Sequence, residues 1–315
     1  MSGQKIISLL PAATEIVCAL GLQDNLIGRS HECDFPLEIT NLPVCSEARF
    51  IPGSDSTSID RQVSDILSDA LSIYVVNKEL ISKLEPDFVI TQNQCEVCAV
   101  SERDVEEALT GLLHKDVEII SLSPNALADI QSDIRRIGRQ LGVAGKAEAL
   151  LEELNDRVDI VRHKLKYIDQ KPTLACIEWL SPLMVAGNWT PELISIAGGI
   201  SVLAESGKHS PFVDFESIQA ENPDILVIIP CGFSISRTLQ EINFLLNLPG
   251  WKNLNAVKNN KVYIADGNQY FNRSGPRIVD SIEILAEIIN PKMFSFGYEN
   301  EGWIRFNVSE PSIYF

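Results

Sequence analysis

The sequence predicts an α/β protein with two α/β lobes joined by a long helix. Three observations indicate this. The chain has 315 residues, which suits two lobes of roughly 120 to 150 residues each better than one small core. Short apolar runs alternate with amphipathic stretches in both halves. The segment between the halves is rich in helix-forming residues.

The first lobe is expected to span residues 1–124. Its predicted strands are continuous apolar runs rather than alternating ones, as is typical of strands covered by helices on both faces. Four such runs are separated by segments with helical spacing: residues 5–10, 25–30, 87–92 and 117–123. We therefore expect a parallel sheet here.

Residues 125–170 are predicted to form the linking helices. Leu, Ala, Glu, Arg and Lys dominate this stretch, and Gly142 and Gly145 interrupt it, which predicts a helix, a break and a long helix. Apolar residues in the long helix recur at three- and four-residue steps and form one stripe: Leu150, Leu151, Leu154, Val158, Val161 and Leu165. Such a helix could extend across both lobes.

The second lobe is expected at residues 171–290, with strands at 173–180, 224–230 and 261–267 and a closing helix after Pro276. One phrase recurs in both lobes. It reads LEPDFVITQ in the first and ENPDILVIIP in the second, where Pro-Asp follows a helix end and introduces an apolar strand. The repeat suggests two topologically similar halves.

The last segment, residues 291–315, is dense in aromatic residues, which are rarely left in water. We expect this aromatic tail to pack on the body of the protein. A homo-oligomer contact through the tail is the alternative.

Composition excludes some classes of partner. The formal net charge is −17, which argues against a polyanion such as DNA or RNA. No window reaches the 18 or more apolar residues of a membrane span. The start of the sequence lacks the basic, apolar and small-residue order of a secretory signal, so the sequence predicts a cytoplasmic protein.

Four segments of the sequence together indicate a known protein family. They are KIISLLPAATEIVCALGLQDNLIGRSHECDFP, PDFVITQ, AGGISVLAE and FNRSGPRIVDSIEILAEII. In this order they resemble the type III substrate-binding proteins of ABC importers, specifically the cobalamin-binding branch, over nearly all of residues 5–290. The resemblance implies two lobes bridged by a rigid helix, a ligand cleft between the lobes, a small-molecule ligand of the cobalamin or corrinoid type, and an ABC permease as partner.

The resemblance also implies ligand-binding positions. They are His31, Glu32 and Asp34 in the loop after the second strand, Gln92 and Asn93 after PDFVITQ, Glu178 and Trp179 in the second lobe, and Tyr270 and Arg273 near the end. The chain differs from the imported-vitamin proteins by an insertion at about residues 50–77, by its thiol- and His-rich cleft segments and by the absence of a recognisable signal. These differences favour a cytoplasmic derivative of the family.

A thiol and histidine cluster offers a second hypothesis. Cys95 and Cys98 follow one strand of the first lobe, and His31 and Cys33 follow another. Parallel strands place such loops at the same sheet edge, so the four side chains could converge on zinc or another thiophilic metal. A site of this kind would serve catalysis or metal handling. The alternative is that His31 caps a loop and the cysteines are unliganded thiols.

Aromatic residues in the second lobe suggest a wall for a large flat ligand. Trp179 and Trp189 flank the loop SPLMVAGN, and aromatic side chains commonly line ligand sites. Nucleophile elbows, Walker A loops and G-x-G-x-x-G turns are absent where strands meet helices. We therefore expect a ligand-binding protein rather than an enzyme.

Overall fold

A computed structural model describes residues 3–68, 73–93, 100–109 and 117–307. The chain divides into two compact units. The first comprises residues 1–54, 58–124 and 128–153, and the second comprises residues 55–57, 125–127 and 154–315. Cys95 and Cys98 lie outside the described residues.

The first unit contains a four-stranded parallel sheet of order β2-β1-β5-β6. A separate antiparallel pair joins β3 and β4. The strands are β1 (Ile6–Ser8), β2 (Leu26–Arg29), β3 (Ser46–Ala48), β4 (Tyr74–Val76), β5 (Phe88–Gln92) and β6 (Glu118–Leu122). The helices are α1 (Pro11–Ala19), α2 (Ser56–Ser68), α3 (Lys78–Leu84), α4 (Glu102–Leu109), α5 (Leu127–Gln140) and α6 (Ala144–Leu165).

The second unit contains a six-stranded sheet of order β12-β11-β10-β7-β8, with β9 also paired to β7. Its strands are β7 (Thr173–Trp179), β8 (Met184–Val185), β9 (Ile200–Ser201), β10 (Ile225–Ile228), β11 (Val262–Ala265) and β12 (Trp303–Arg305). Its helices are α7 (Thr190–Ile196), α8 (Phe215–Glu221), α9 (Ile235–Glu241), α10 (Asn243–Leu246), α11 (Asn255–Lys258) and α12 (Ile278–Ile289).

The repeated Pro-Asp phrase plays the same structural part in each unit. Asp87 Oδ2 accepts the backbone N–H of Lys5 at 2.8 Å, just before β1. Asp224 Oδ2 accepts the backbone N–H of Thr173 at 3.0 Å, at the start of β7. In both units the aspartate precedes the parallel neighbour of that strand, β5 or β10. The two halves are therefore similar in structure as well as in sequence.

The predicted long helix is α6, and the boundary between the units falls inside it. The predicted break lies between α5 and α6, where Gly142 has a φ of +72° that side chains disfavour. Most of the predicted apolar stripe is buried, namely Leu151, Leu154, Val158, Val161 and Leu165. One helix thus continues from the first unit into the second.

Part of the tail extends the second sheet. Strand β12 pairs antiparallel with β11, and Glu287 on α12 accepts the indole N–H of Trp303 at 2.7 Å. The same carboxylate accepts the backbone N–H groups of Phe296 and Gly297. These contacts attach the described part of the tail to its own unit.

Within the described ranges, none of the helices combines the length and apolar character that crossing a bilayer requires.

Candidate functional site

The second sheet ends at an irregular edge. The register between β7 and β8 shifts between Ile177 and Trp179, so Glu178 lies in a β-bulge. Bulges are common beside functional sites because they redirect side chains. Ser210 Oγ donates to the Glu178 carboxylate and accepts the N–H of Gly187 at 2.9 Å. The bulge and Ser210 therefore fix the position of this carboxylate.

Beside the bulge lies a partly exposed set of large apolar side chains, which we name the apolar row: Trp179, Met184 and Phe212. Met184 pairs with Trp179 in register and with Phe212 through an isolated antiparallel bridge. Residues directly opposite on neighbouring strands share one face of a sheet. Phe212 is 64% exposed, and Trp179 and Met184 are half-buried. The row is an apolar surface accessible to a ligand.

A cation and a second aromatic ring support the apolar row. The ring centroids of Trp179 and Phe233 are 5.4 Å apart, and Phe233 is buried. The Arg237 guanidinium lies 4.6 Å from the centre of the Phe233 ring and forms an ion pair with Glu241. This layered packing holds Trp179 in place.

The loop after β11 holds Arg273 against Asn268. Arg273 is buried, and its Nε and Nη2 donate to the backbone and side-chain oxygens of Asn268 at 2.5 and 3.1 Å. Asp266 accepts the N–H of Gln269 at 2.8 Å, and burial raises the pKa of the Asp266 carboxyl. The hydrogen bonds from buried Arg273 to Asn268 therefore stabilise the conformation of this loop.

Trp189 and Tyr270 occupy supporting positions. Trp189 is buried, and its indole N–H donates to the carbonyl of Phe271 at 2.9 Å. Tyr270 packs edge-on against Tyr298, with centroids 5.8 Å apart. Each ring contacts its own unit, so the ligand-wall role predicted for Trp189 and the ligand-binding role predicted for Tyr270 gain no support from these contacts.

In the first unit, His31 follows β2 and contacts residues of the β3–β4 pair. Its Nδ1 lies 3.0 Å from Ser46 Oγ, and its ring centroid is 5.5 Å from that of Tyr74. The ring is half-buried. Burial, followed by the positive charge of Arg29, lowers the pKa of His31 below its ordinary value of 6.5. The imidazole is therefore neutral at pH 7.

Arg29 organises the loop that carries His31. Its Nη1 donates to the carbonyls of Ser30 and Cys33 at 3.0 and 3.1 Å, and its Nη2 donates to the carbonyl of Thr40 at 2.9 Å. Glu32 is half-buried and Asp34 is exposed in this loop. Three carbonyl contacts from one guanidinium fix the loop at the carboxyl end of β2.

The proposed metal ligands are only partly described. Cys33 is fully buried, and its sulfur accepts a hydrogen bond from the hydroxyl of Thr14 at 3.0 Å. Burial raises the pKa of the Cys33 thiol. A neutral buried thiol is a poor metal ligand. Among the described residues no group of three or more His, Cys, Asp or Glu is arranged to hold a metal. Because Cys95 and Cys98 fall outside that part, the four-ligand site stays a prediction.

The other predicted positions in the first unit lie at the end of β5. Gln92 is buried and Asn93 is exposed, and the Asn93 N–H donates to the carbonyl of Leu122 at 2.9 Å. Of this pair, Asn93 is the one with an accessible side chain.

Several candidate residues escaped the sequence analysis. Phe233 lies in the loop after β10, so the rule that binding residues follow parallel strands would have found it. Arg237 lies one helical turn later. Met184 and Phe212 depend on strand pairings between distant residues, and no local pattern marks them.

Two relatives match most of the chain. An uncharacterised ABC transporter substrate-binding lipoprotein of Bacillus subtilis is 26% identical, over 92% of this chain and 81% of the relative. A vitamin B12-binding protein of Vibrio parahaemolyticus is 24% identical, over 90% of this chain and 88% of the relative.

A solved structure has the same fold. The periplasmic heme-binding protein RhuT from Roseiflexus, in apo form, aligns with a TM-score of 0.66 at 21% identity, covering 92% of this chain and 99% of its own. This likeness confirms the predicted two-lobed α/β fold.

The prediction of a cytoplasmic location is wrong. One relative is an ABC transporter substrate-binding lipoprotein, and the family model that matches this chain is that of periplasmic binding proteins. These findings indicate a protein that works outside the cytoplasm. The prediction rested on the lack of a recognisable signal in the first residues, and such an absence does not establish a location.

The family comparison covers both units. The model of the periplasmic binding protein family matches residues 6–268, which include the strands from β1 through β11. The predicted resemblance to substrate-binding proteins is confirmed, and the chain belongs to the periplasmic binding protein family.

Proposed function

We propose that this chain, a substrate-binding protein of the ABC-transporter type, takes a cobalamin-like ligand. The observation that carries the proposal is the apolar row, because Phe212 exposes most of a large aromatic side chain at the end of a sheet. An isolated apolar residue needs no explanation, but a continuous row beside a fixed carboxylate is typical of a binding surface.

The size of the row supports a large, flat ligand. Neighbouring strands lie about 4.8 Å apart, so three residues paired across them extend over roughly 10 Å. Phe233 is buried and supports the row from Trp179, with the two ring centroids 5.4 Å apart. A macrocyclic ring has a face of that order, whereas a single amino acid covers one or two of these side chains.

Polar groups beside the row suit an amide-bearing ligand. Glu178 is held by Ser210, and Asn268 is half-buried at the end of the neighbouring segment. Carboxylate and amide oxygens accept hydrogen bonds from amide N–H groups. The edge of a corrin ring carries amides. The name of the Vibrio parahaemolyticus relative, a vitamin B12-binding protein, supports the same ligand class.

The first unit, taken by itself, carries His31 as a candidate metal-binding group. The hydrogen bond between Nδ1 and Ser46 orients the ring, and the lowered pKa keeps the imidazole neutral. A neutral imidazole whose second nitrogen is fixed in this way is a common metal ligand.

An ABC permease is the proposed partner. The net charge of −17 favours a permease surface that is basic where the protein docks, because complementary charge guides association.

Calorimetric titration with cyanocobalamin tests the proposal. Phe212→Ala should weaken binding by about tenfold, as expected for truncating an aromatic contact. The matched control is Phe244→Ala, because Phe244 is an exposed phenylalanine of the same unit, 40% exposed, outside the row. The proposal fails if cyanocobalamin does not bind the unaltered chain, or if both variants weaken binding equally.

A further inference from the structure

The ion pair between Arg237 and Glu241 is linked to Trp179 of the apolar row through the ring of Phe233. Arg237 contacts the ring of Phe233, and Phe233 contacts Trp179. Thus one aromatic ring separates the guanidinium from the tryptophan. A positive charge in this place would attract a ligand that carries carboxylates.

Glu241 cancels that charge. The two groups are four residues apart on α9, and their side chains are only 22% and 12% exposed. Screening by water is weaker for partly buried pairs than for exposed ones. The second carboxylate oxygen of Glu241 accepts the N–H of Ser56 at 2.9 Å, which fixes the carboxylate. Arg237 is thereby held in a neutral pair.

A second arginine of this unit, Arg273, is also paired. Arg273 is buried and donates to Asn268 at two points. Glu178 adds a negative charge beside the row. Near Trp179, the described residues therefore include the Glu178 carboxylate and two arginines, Arg237 and Arg273, whose guanidinium groups are already paired.

We propose that Glu241 is a specificity-determining residue: by pairing with Arg237, it makes the second unit favour neutral, amide-bearing macrocycles over macrocycles that carry carboxylates. This inference rests on the proposed function and adds the chemical basis of discrimination. Glu241 acts through Arg237, so it is a positioning residue that need not touch the ligand. Unpaired polar and charged groups against the wrong ligand are a general source of specificity.

Glu241→Gln is the test, because glutamine keeps an oxygen for Ser56 and removes the negative charge. Cyanocobalamin and hemin are the two probes, the second carrying two carboxylates. The ratio of hemin affinity to cyanocobalamin affinity should rise about tenfold in the variant, since hydrogen bonds to charged groups are the strong ones. The rise should shrink as salt is added.

Glu221→Gln provides the matched control, because it removes the same charge from an exposed residue at the end of α8. An unchanged ratio in Glu241→Gln, or an equal rise in both variants, overturns the inference while leaving the proposed function standing. If the unaltered chain binds neither probe, the proposed function itself fails. Thermal unfolding of both variants, compared with the unaltered chain, verifies that the ratio is measured on folded protein.

Discussion

Trp179 and Phe233 pack with ring centroids 5.4 Å apart and an interplanar angle of 57°. Trp179 follows the bulge in β7, and Phe233 follows β10, its parallel neighbour. Residues at or after the ends of two neighbouring strands thus meet in one aromatic contact. Trp179 is half-buried in it, and Phe233 is buried. The contact makes Trp179 a rigid element of the proposed binding surface.

Trp179→Ala should therefore weaken cyanocobalamin binding by roughly ten- to a hundredfold, the range of a central aromatic contact. Tyr167→Ala is the control, because Tyr167 is 81% exposed and lies beyond α6 in the same unit. Calorimetry measures both. Equal affinities of Trp179→Ala and the unaltered chain for cyanocobalamin would show that the apolar row does not bind this ligand.

His31 should make stability depend on pH. Its pKa in the folded chain is lowered, chiefly by burial, from 6.5. Its contribution to stability is therefore complete above about pH 6.5 and declines as the pH falls toward the lowered pKa of the folded state. His31→Gln should reduce the loss of unfolding free energy between pH 7.5 and pH 5.5.

Urea denaturation at the two pH values measures this difference. His163→Gln, at an exposed position on α6, should leave the acid-dependent loss as large as in the unaltered chain. An identical loss in His31→Gln would show that the His31 ring is not the group that titrates.

Trp303 and Trp251 form a matched pair for testing the tail. Both are buried, but the indole N–H of Trp303 donates to Glu287, whereas that of Trp251 has no hydrogen-bond partner within the described chain. Replacement by Phe removes similar volume in each case. Trp303→Phe should cost about 1–3 kcal/mol more than Trp251→Phe, because it leaves a buried carboxylate with one donor fewer. Chemical denaturation of the two variants measures the difference, and equal costs would contradict it.

The repeated aspartates give a paired prediction for the two units. Asp224 accepts both the backbone N–H and the hydroxyl of Thr173, at 3.0 and 3.1 Å in a part-buried setting. Asp87 accepts the backbone N–H of Lys5 in an exposed setting, where water weakens the effect of the contact. Asp224→Ala should cost about 2 kcal/mol of unfolding free energy and Asp87→Ala about 1 kcal/mol. The reverse order in urea denaturation would contradict this ranking of the two aspartates.

Regular elements were predictable because their signals are local. The apolar runs of β5, β10 and β11, the stripe of α6 and the Pro-Asp phrase lie within short windows, and the structure contains each of them. Of the candidate site, Trp179 and Glu178 were found by the rule that parallel strands end at binding edges.

The rest of the candidate site depends on distant pairings. Met184 reaches Trp179 through a two-residue strand, and Phe212 joins only by a single bridge. Trp189 was chosen for its residue type, but an aromatic residue signals a core position as readily as a ligand wall. The predicted location was wrong for another reason, because it rested on the lack of a recognisable signal, and such an absence does not establish a compartment.

The most direct measurement is a visible-absorbance and calorimetric titration of the unaltered chain with cyanocobalamin and, separately, hemin. We predict one saturable site for cyanocobalamin and an affinity for it at least about tenfold higher than for hemin, because Arg237 and Arg273 are already paired. Failure to bind cyanocobalamin at saturating concentration, or a higher affinity for hemin, would contradict it.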